Sequence, residues 1–140
     1  MGQYYKPKVD SEETFFLKFD NFIIHTIKIL RNESVCPKSA RWLGADEIIS
    51  IAQRLHTVVH LANNIKVTNI EEKERRHALQ TEGYALMMTL GEKMTFCSKI
   101  YSIDADKLST WLEYKGKSQW WLNGWMKSDE KRYADIQRSE

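Results

Sequence analysis

The chain has 140 residues, with 21 Lys plus Arg against 19 Asp plus Glu for a formal net charge of +2, and is 42% hydrophobic and 29% charged. A length near the modal domain size, with two prolines and six glycines, excludes a disordered chain and points to one ordered, mostly helical domain. So weak a whole-chain field excludes nucleic-acid binding through bulk charge and leaves only local basic clusters to do it.

From Ser11 to Leu30, residues Phe16, Phe19, Ile23, Ile27 and Leu30 recur at spacings of three and four, the stripe of an amphipathic helix. Asp10 with Glu13 reads as its capping box. RNESVCPKS then carries no apolar period, and Pro37 pushes Cys36 out of helical geometry. From Ala40 onward Ile48, Ile51, Ala52, Leu55, Val58, Val59, Ala62 and Ile65 keep to one face for a second helix, capped by Ser39. Trp42 is expected to pack back as a lid on the bundle end, with Lys38 and Arg41 in solvent.

NNIKVTN breaks the chain, and Thr68 with Glu71 or Asn69 with Glu72 opens a third helix predicted from Ile70 to Ile100. Its stripe runs through Leu79, Gly83, Leu86, Leu90, Met94, Cys97 and Tyr101. YSID ends it, and Asp104 or Ser102 caps a fourth helix with Leu108, Trp111 or Leu112, Lys115, Gln119, Leu122 and Trp125 inward. Four long helices joined by short turns predict an all-α, antiparallel up-down-up-down four-helix bundle. Residues 1–10 read as a flexible N-terminus, 11–126 as the bundle and 127–140 as a frayed, charged tail.

No stretch approaches the roughly 20 apolar residues that cross a bilayer. With only Cys36 and Cys97 and no secretory leader pattern, a reduced cytoplasmic setting is expected. His56 and His60 stand four apart, but no HExxH pattern and no Cys or carboxylate at ligand spacing accompanies them, so no metal is expected. Both cysteines read as structural. No nucleophile and base stand together, no glycine-rich phosphate loop occurs, and neither enzymatic activity nor a cofactor is expected.

The tryptophans of WWLNGWMKSDEKR pose a packing problem. Trp121 and Trp125 share a helical face while Trp120 lies about 100° from Trp121, so one stripe cannot take all three. They are candidate oligomer-interface residues, with Trp121 and Trp125 closing the bundle and Trp120 turned to a neighbouring subunit. A wide core stripe with Trp120 half exposed is the alternative. Gly124 would let a backbone approach closely beside them.

PKSARWLGADEI at 37–48, EKERRHALQ at 72–80, the SID turn at 102–104 and GWMKSD at 124–129 together resemble the signature positions of a group of bacterial four-helix-bundle proteins. That group contains the accessory variability determinant of diversity-generating retroelements and the proteins encoded within ribosomal-RNA intervening sequences. The resemblance implies a ring, a homopentamer, without catalytic activity, which binds the element's reverse transcriptase and template RNA during mutagenic reverse transcription. It directs attention to Lys38, Arg41, Lys73, Arg75, Arg76, Lys127, Lys131 and Arg132 as nucleic-acid contacts. Pairing of Lys73, Arg75 and Arg76 with Glu71, Glu72 and Glu74 on a solvated face is the competing reading, and Lys38 and Arg41 have a capping-segment reading. A scaffold that binds only protein partners is the alternative function.

Overall fold

A computed structural model describes residues 11–137, with side chains from Phe15 onward. Helices α1 (Ser11–Arg31), α2 (Ala45–Asn64), α3 (Ile70–Ile100) and α4 (Ala105–Arg132) form a helical bundle, with a short 3-10 helix at Lys38–Leu43 and no strand among the described residues. The Asp10–Glu13 capping box and the N-terminus at 1–10 lie outside the described residues. Among them, no helix is long and apolar enough to cross a membrane.

Each helix packs on its chain neighbours, and α1 also packs on α4. Near its start, α1 sets Phe15 against Trp121 and Trp125 of late α4, at ring centroids 6.2 and 5.8 Å apart. Towards its end, Thr26 accepts a hydrogen bond from the Trp111 indole at 2.9 Å and donates to the Phe22 carbonyl at 2.9 Å. A buried indole N–H needs a partner, and a threonine bonded back to its own helix supplies one without leaving its hydroxyl hydrogen unpaired.

The third helix has the predicted bounds. Asn69 accepts from the Glu72 backbone N–H at 2.9 Å, so Asn69 with Glu72 is the register used. At α4 it is Asp104 that caps, accepting from the Lys107 N–H at 2.9 Å. The stripe of α2 is buried apart from half-buried Ile51. In α1 the inner face is turned toward Phe15, Phe19, Phe22, Ile23, Thr26 and Leu30, leaving Phe16 and Ile27 half-buried.

Ser39 does not cap the second helix. The Tyr101 hydroxyl donates to the Ala40 carbonyl at 2.7 Å, the acceptor that a continuous α-helix would offer Gly44, and Gly44 bonds to Arg41 instead. The segment is therefore 3-10, and α2 begins at Ala45, whose N–H donates to the same hydroxyl at 3.1 Å. Trp42 is no lid, being 75% exposed. Arg41 is withdrawn from solvent: it donates to the Arg31 carbonyl at 2.9 Å, an acceptor that the end of α1 leaves open, and to the Cys36 carbonyl in the following turn at 3.3 Å.

Helix α4 buries Trp111, Leu122 and Trp125 of its expected stripe, leaves Leu108 half-buried, and overruns its expected boundary. Trp111, Ser118, Trp121, Leu122, Trp125 and Asp129 are its buried residues, and the helix continues to Arg132, beyond the boundary expected at 126. Lys115 and Gln119 are half-buried and bond to each other at 2.6 Å. The Lys115 stem lies over the backbone of Gly91, where an added Cβ would meet it at 2.8 Å.

Glycine marks the closest approach of α2 and α3. A Cβ on Gly83 would stand 3.1 Å from a Val59 methyl, whereas one on Gly124 meets nothing within 4 Å, so the close approach expected at Gly124 is absent. Gly83→Leu is predicted to lower stability by about 1–3 kcal/mol through overpacking. Gly124→Ala is predicted to raise it by about 0.5–1 kcal/mol through helix propensity alone. Urea denaturation of the two variants measures both signs.

Candidate functional site

The basic run at the start of α3 is divided by the helix itself. Glu72 is occupied in capping: its carboxylate accepts from the Thr68 hydroxyl and the Thr68 N–H, and these bonds hold it below the usual carboxylate range. Arg75 is exposed. Arg76, one residue on, is 5% exposed. Its Nε and Nη2 donate to the two oxygens of Asp129 at 2.6 and 3.0 Å, and its Nη1 donates to the Ile65 carbonyl at 3.1 Å. Gln80 donates to the same carboxylate at 2.7 Å, and the guanidinium lies 5.1 Å from the Trp125 ring centroid and 5.6 Å from that of Tyr133.

Arg76 is therefore not a surface contact for phosphate, because its bidentate fork is filled by Asp129 and covered by aromatic faces. The signal for this lay in the spacing. Arg76, Gln80, Gly83, Met87, Leu90, Met94 and Cys97 are all buried and follow one another at four, three, four, three, four and three. Carried back through the polar first turns, the seam of α3 leads to Arg76. The buried run Ser118, Leu122, Trp125, Asp129 of α4 leads to its partner.

The other candidate cations are also redistributed. Lys73 donates to the Ile136 carbonyl at 2.9 Å, and Arg41 is committed to carbonyls and to Glu33 at 3.3 Å. Lys38, Arg75, Lys127, Lys131 and Arg132 are exposed, Arg132 with its guanidinium 5.9 Å from the Tyr133 ring. The Arg76–Asp129 and Lys73–Ile136 contacts bring Arg75, Lys127, Lys131 and Arg132 to one end of the bundle. Lys38 and Arg41 stand at the end marked by Tyr101, roughly 40 Å away at a rise of about 1.5 Å per residue.

The tryptophans separate as well. Trp121 and Trp125 are buried in their own bundle, Trp125 edge-on to Phe16 at 5.4 Å, so neither is free for an oligomer interface. Trp120 is 57% exposed and sits edge-on to Trp121 at 5.2 Å and 83°. Of the three interface candidates it alone presents its indole outward.

Two clusters join residues that are distant in sequence. Cys36 and Cys97 are buried free thiols, and burial together with the neighbouring Cys36 pushes the Cys97 thiol up to about 12, which keeps it protonated and unreactive. Asp20 of α1 reaches His56 and His60 of α2, at 3.1 and 2.9 Å from its Oδ1 to each Nε2. This is the carboxylate that local spacing on α2 lacks, and a sequence reading confined to one helix cannot find it.

No family model, no curated protein and no solved structure matches the chain.

Removing one member of a buried, hydrogen-bonded ion pair strands the other. Arg76→Met is predicted to cost about 3–5 kcal/mol in urea denaturation. Adding Asp129→Leu to it should recover part of the loss, because the uncompensated carboxylate is then gone. A cost below about 1 kcal/mol for Arg76→Met would mean that the guanidinium is solvated.

Proposed function

We propose that the protein is a non-enzymatic accessory factor of a diversity-generating retroelement, working in the cytoplasm. In this reading antiparallel up-down-up-down bundles assemble into a pentameric ring that holds the reverse transcriptase and its template RNA together during mutagenic copying. Its basis in the sequence is the resemblance of residues 37–129 to that group. The observation that carries it in the fold is the exposed indole of Trp120, on the same α4 end as exposed Lys127 and Lys131. A large apolar side chain in water is a natural contact for a second copy of the chain, and a ring repeats a modest cationic patch around one axis.

Antiparallel packing is supported by Arg76 and Asp129, which join the start of α3 to the end of α4, and by Glu47 and Lys93, 3.1 Å apart, which join the start of α2 to the end of α3. A scaffold that binds only protein is favoured by a different observation. Burial of Arg76 and the carbonyl bonds of Lys73 and Arg41 remove three of the eight cations expected to meet phosphate.

Light scattering on a sizing column, with and without a structured template-type RNA at two salt concentrations, separates the two. The accessory function predicts a pentamer whose mass shifts with RNA at low salt and loses the shift at high salt, as released counterions require. Trp120→Ala should loosen the oligomer with helicity intact. Charge reversal of Arg75, Lys127 and Lys131 should abolish the RNA shift without changing the oligomer. A pentamer indifferent to RNA supports the protein scaffold, and a monomer contradicts both.

A further inference from the structure

Asp20, His56 and His60 are arranged as metal ligands are. The two histidines stand one turn apart on α2, and both Nε2 atoms converge on a single carboxylate oxygen from α1, at 3.1 and 2.9 Å. One ligand atom from each residue lies within 4.8 Å of the other two. A tetrahedral ion with bonds of about 2.0–2.1 Å needs ligand atoms about 3.3 Å apart. The two Asp20–imidazole separations therefore lie within a few tenths of an ångström of that spacing, and the three donors all stand within 4.8 Å of one another.

The rings are also held in place before any ion arrives. His56 stacks parallel to Phe19 at 4° with centroids 6.2 Å apart, His60 lies 5.2 Å from Phe16, and the two imidazoles are 4.4 Å from each other. Aromatic packing that fixes both rings with Nε2 toward Asp20 lowers the ordering cost of binding. His60 hydrogen-bonds to Asp20 at 2.9 Å, whereas His56 approaches the same oxygen at 3.1 Å without forming a hydrogen bond. An ion at the centre would replace that one hydrogen bond with three ligand bonds.

Donor chemistry selects the ion. Two imidazole nitrogens and one carboxylate suit a divalent first-row transition metal such as zinc, whereas magnesium and calcium take oxygen ligands. The side chains are 33–43% exposed, so an ion can reach them from solvent. Beside them a groove of about 410 Å³ is lined by Asp20, His56, Ile23, Ile24, Gln53 and Thr57. Three protein ligands leave a fourth position for water on that side, as in sites that keep an open coordination position.

We propose that Asp20, His56 and His60 bind one divalent transition-metal ion of the zinc class, joining α1 to α2 with a solvent ligand in the fourth position. The site is independent of the RNA-related function proposed above, since none of its residues belongs to the basic or tryptophan clusters.

The test uses the full-length chain without an affinity tag, titrated with cobalt(II) by visible absorption and with zinc(II) by calorimetry. The expected result is one ion per chain, the intense d–d bands of a four-coordinate cobalt site and their loss on adding zinc. Asp20→Asn and His60→Gln keep side-chain size and should each weaken binding at least a hundredfold, with circular dichroism unchanged. Cys36→Ser with Cys97→Ser should leave binding intact. Failure of the unmodified chain to bind either ion at micromolar concentration would overturn the site, as would equal affinity in Asp20→Asn and His60→Gln.

Discussion

A guanidinium shut inside a helical bundle must find partners there or destabilise it, and the Arg76–Asp129 pair is the constraint on which this fold's charged end depends. The guanidinium touches α4 through Asp129 and the connection after α2 through the Ile65 carbonyl, while Gln80 completes the carboxylate from Arg76's own helix. Trp125 and Tyr133 place ring faces near it. One side chain thus ties α3, α4 and the connection from α2. Coulomb attraction alone would roughly offset the cost of desolvating both ions, so the additional hydrogen bonds make the arrangement tenable. The same network explains why α4 runs on through KSDEKR: Asp129 must be delivered to Arg76 in helical register, and Lys73 then holds the Ile136 carbonyl just beyond.

The opposite end is closed largely through backbone groups. Tyr101 takes the Ala40 carbonyl and the Ala45 N–H, and Arg41 takes carbonyls that α1 and its turn leave open. Between the ends the core is aromatic where α1 meets α4 and aliphatic where α2 meets α3, with Gly83 allowing the close approach. The exposed ion pairs Arg54–Glu82 and Glu47–Lys93 join α2 to α3 but contribute little against solvent screening.

Periodicity and capping made the helices legible, because they are local properties. The bounds of α3, the Asn69 and Asp104 caps and most of the α2 face follow from neighbours within four residues. Features set by distant partners were not legible that way. Tyr101 converts the KSARWL segment to a 3-10 turn from about sixty residues away, and the inner face of α1 is chosen among several phenylalanines by what α4 offers. Arg76 looked like a solvated charge because its run is polar, although it falls on the seam. Asp20 looked unremarkable because its two histidines are forty residues off. Charge in a sequence gives a residue's type, and only its register and partners decide whether that charge meets water, phosphate or another side chain.

For function, the consequence is that the GW-x-KSD segment is in part structural: Trp125 and Asp129 serve the buried clasp, while Lys127 remains on the surface. The most direct test of that division is the NMR signal of the Arg76 Nε–H in a nitrogen-15-labelled sample. Slow exchange with water, unchanged by salt or by added RNA, is the result the buried clasp predicts. Rapid exchange, or a shift on titration with RNA, would contradict it and return Arg76 to the surface.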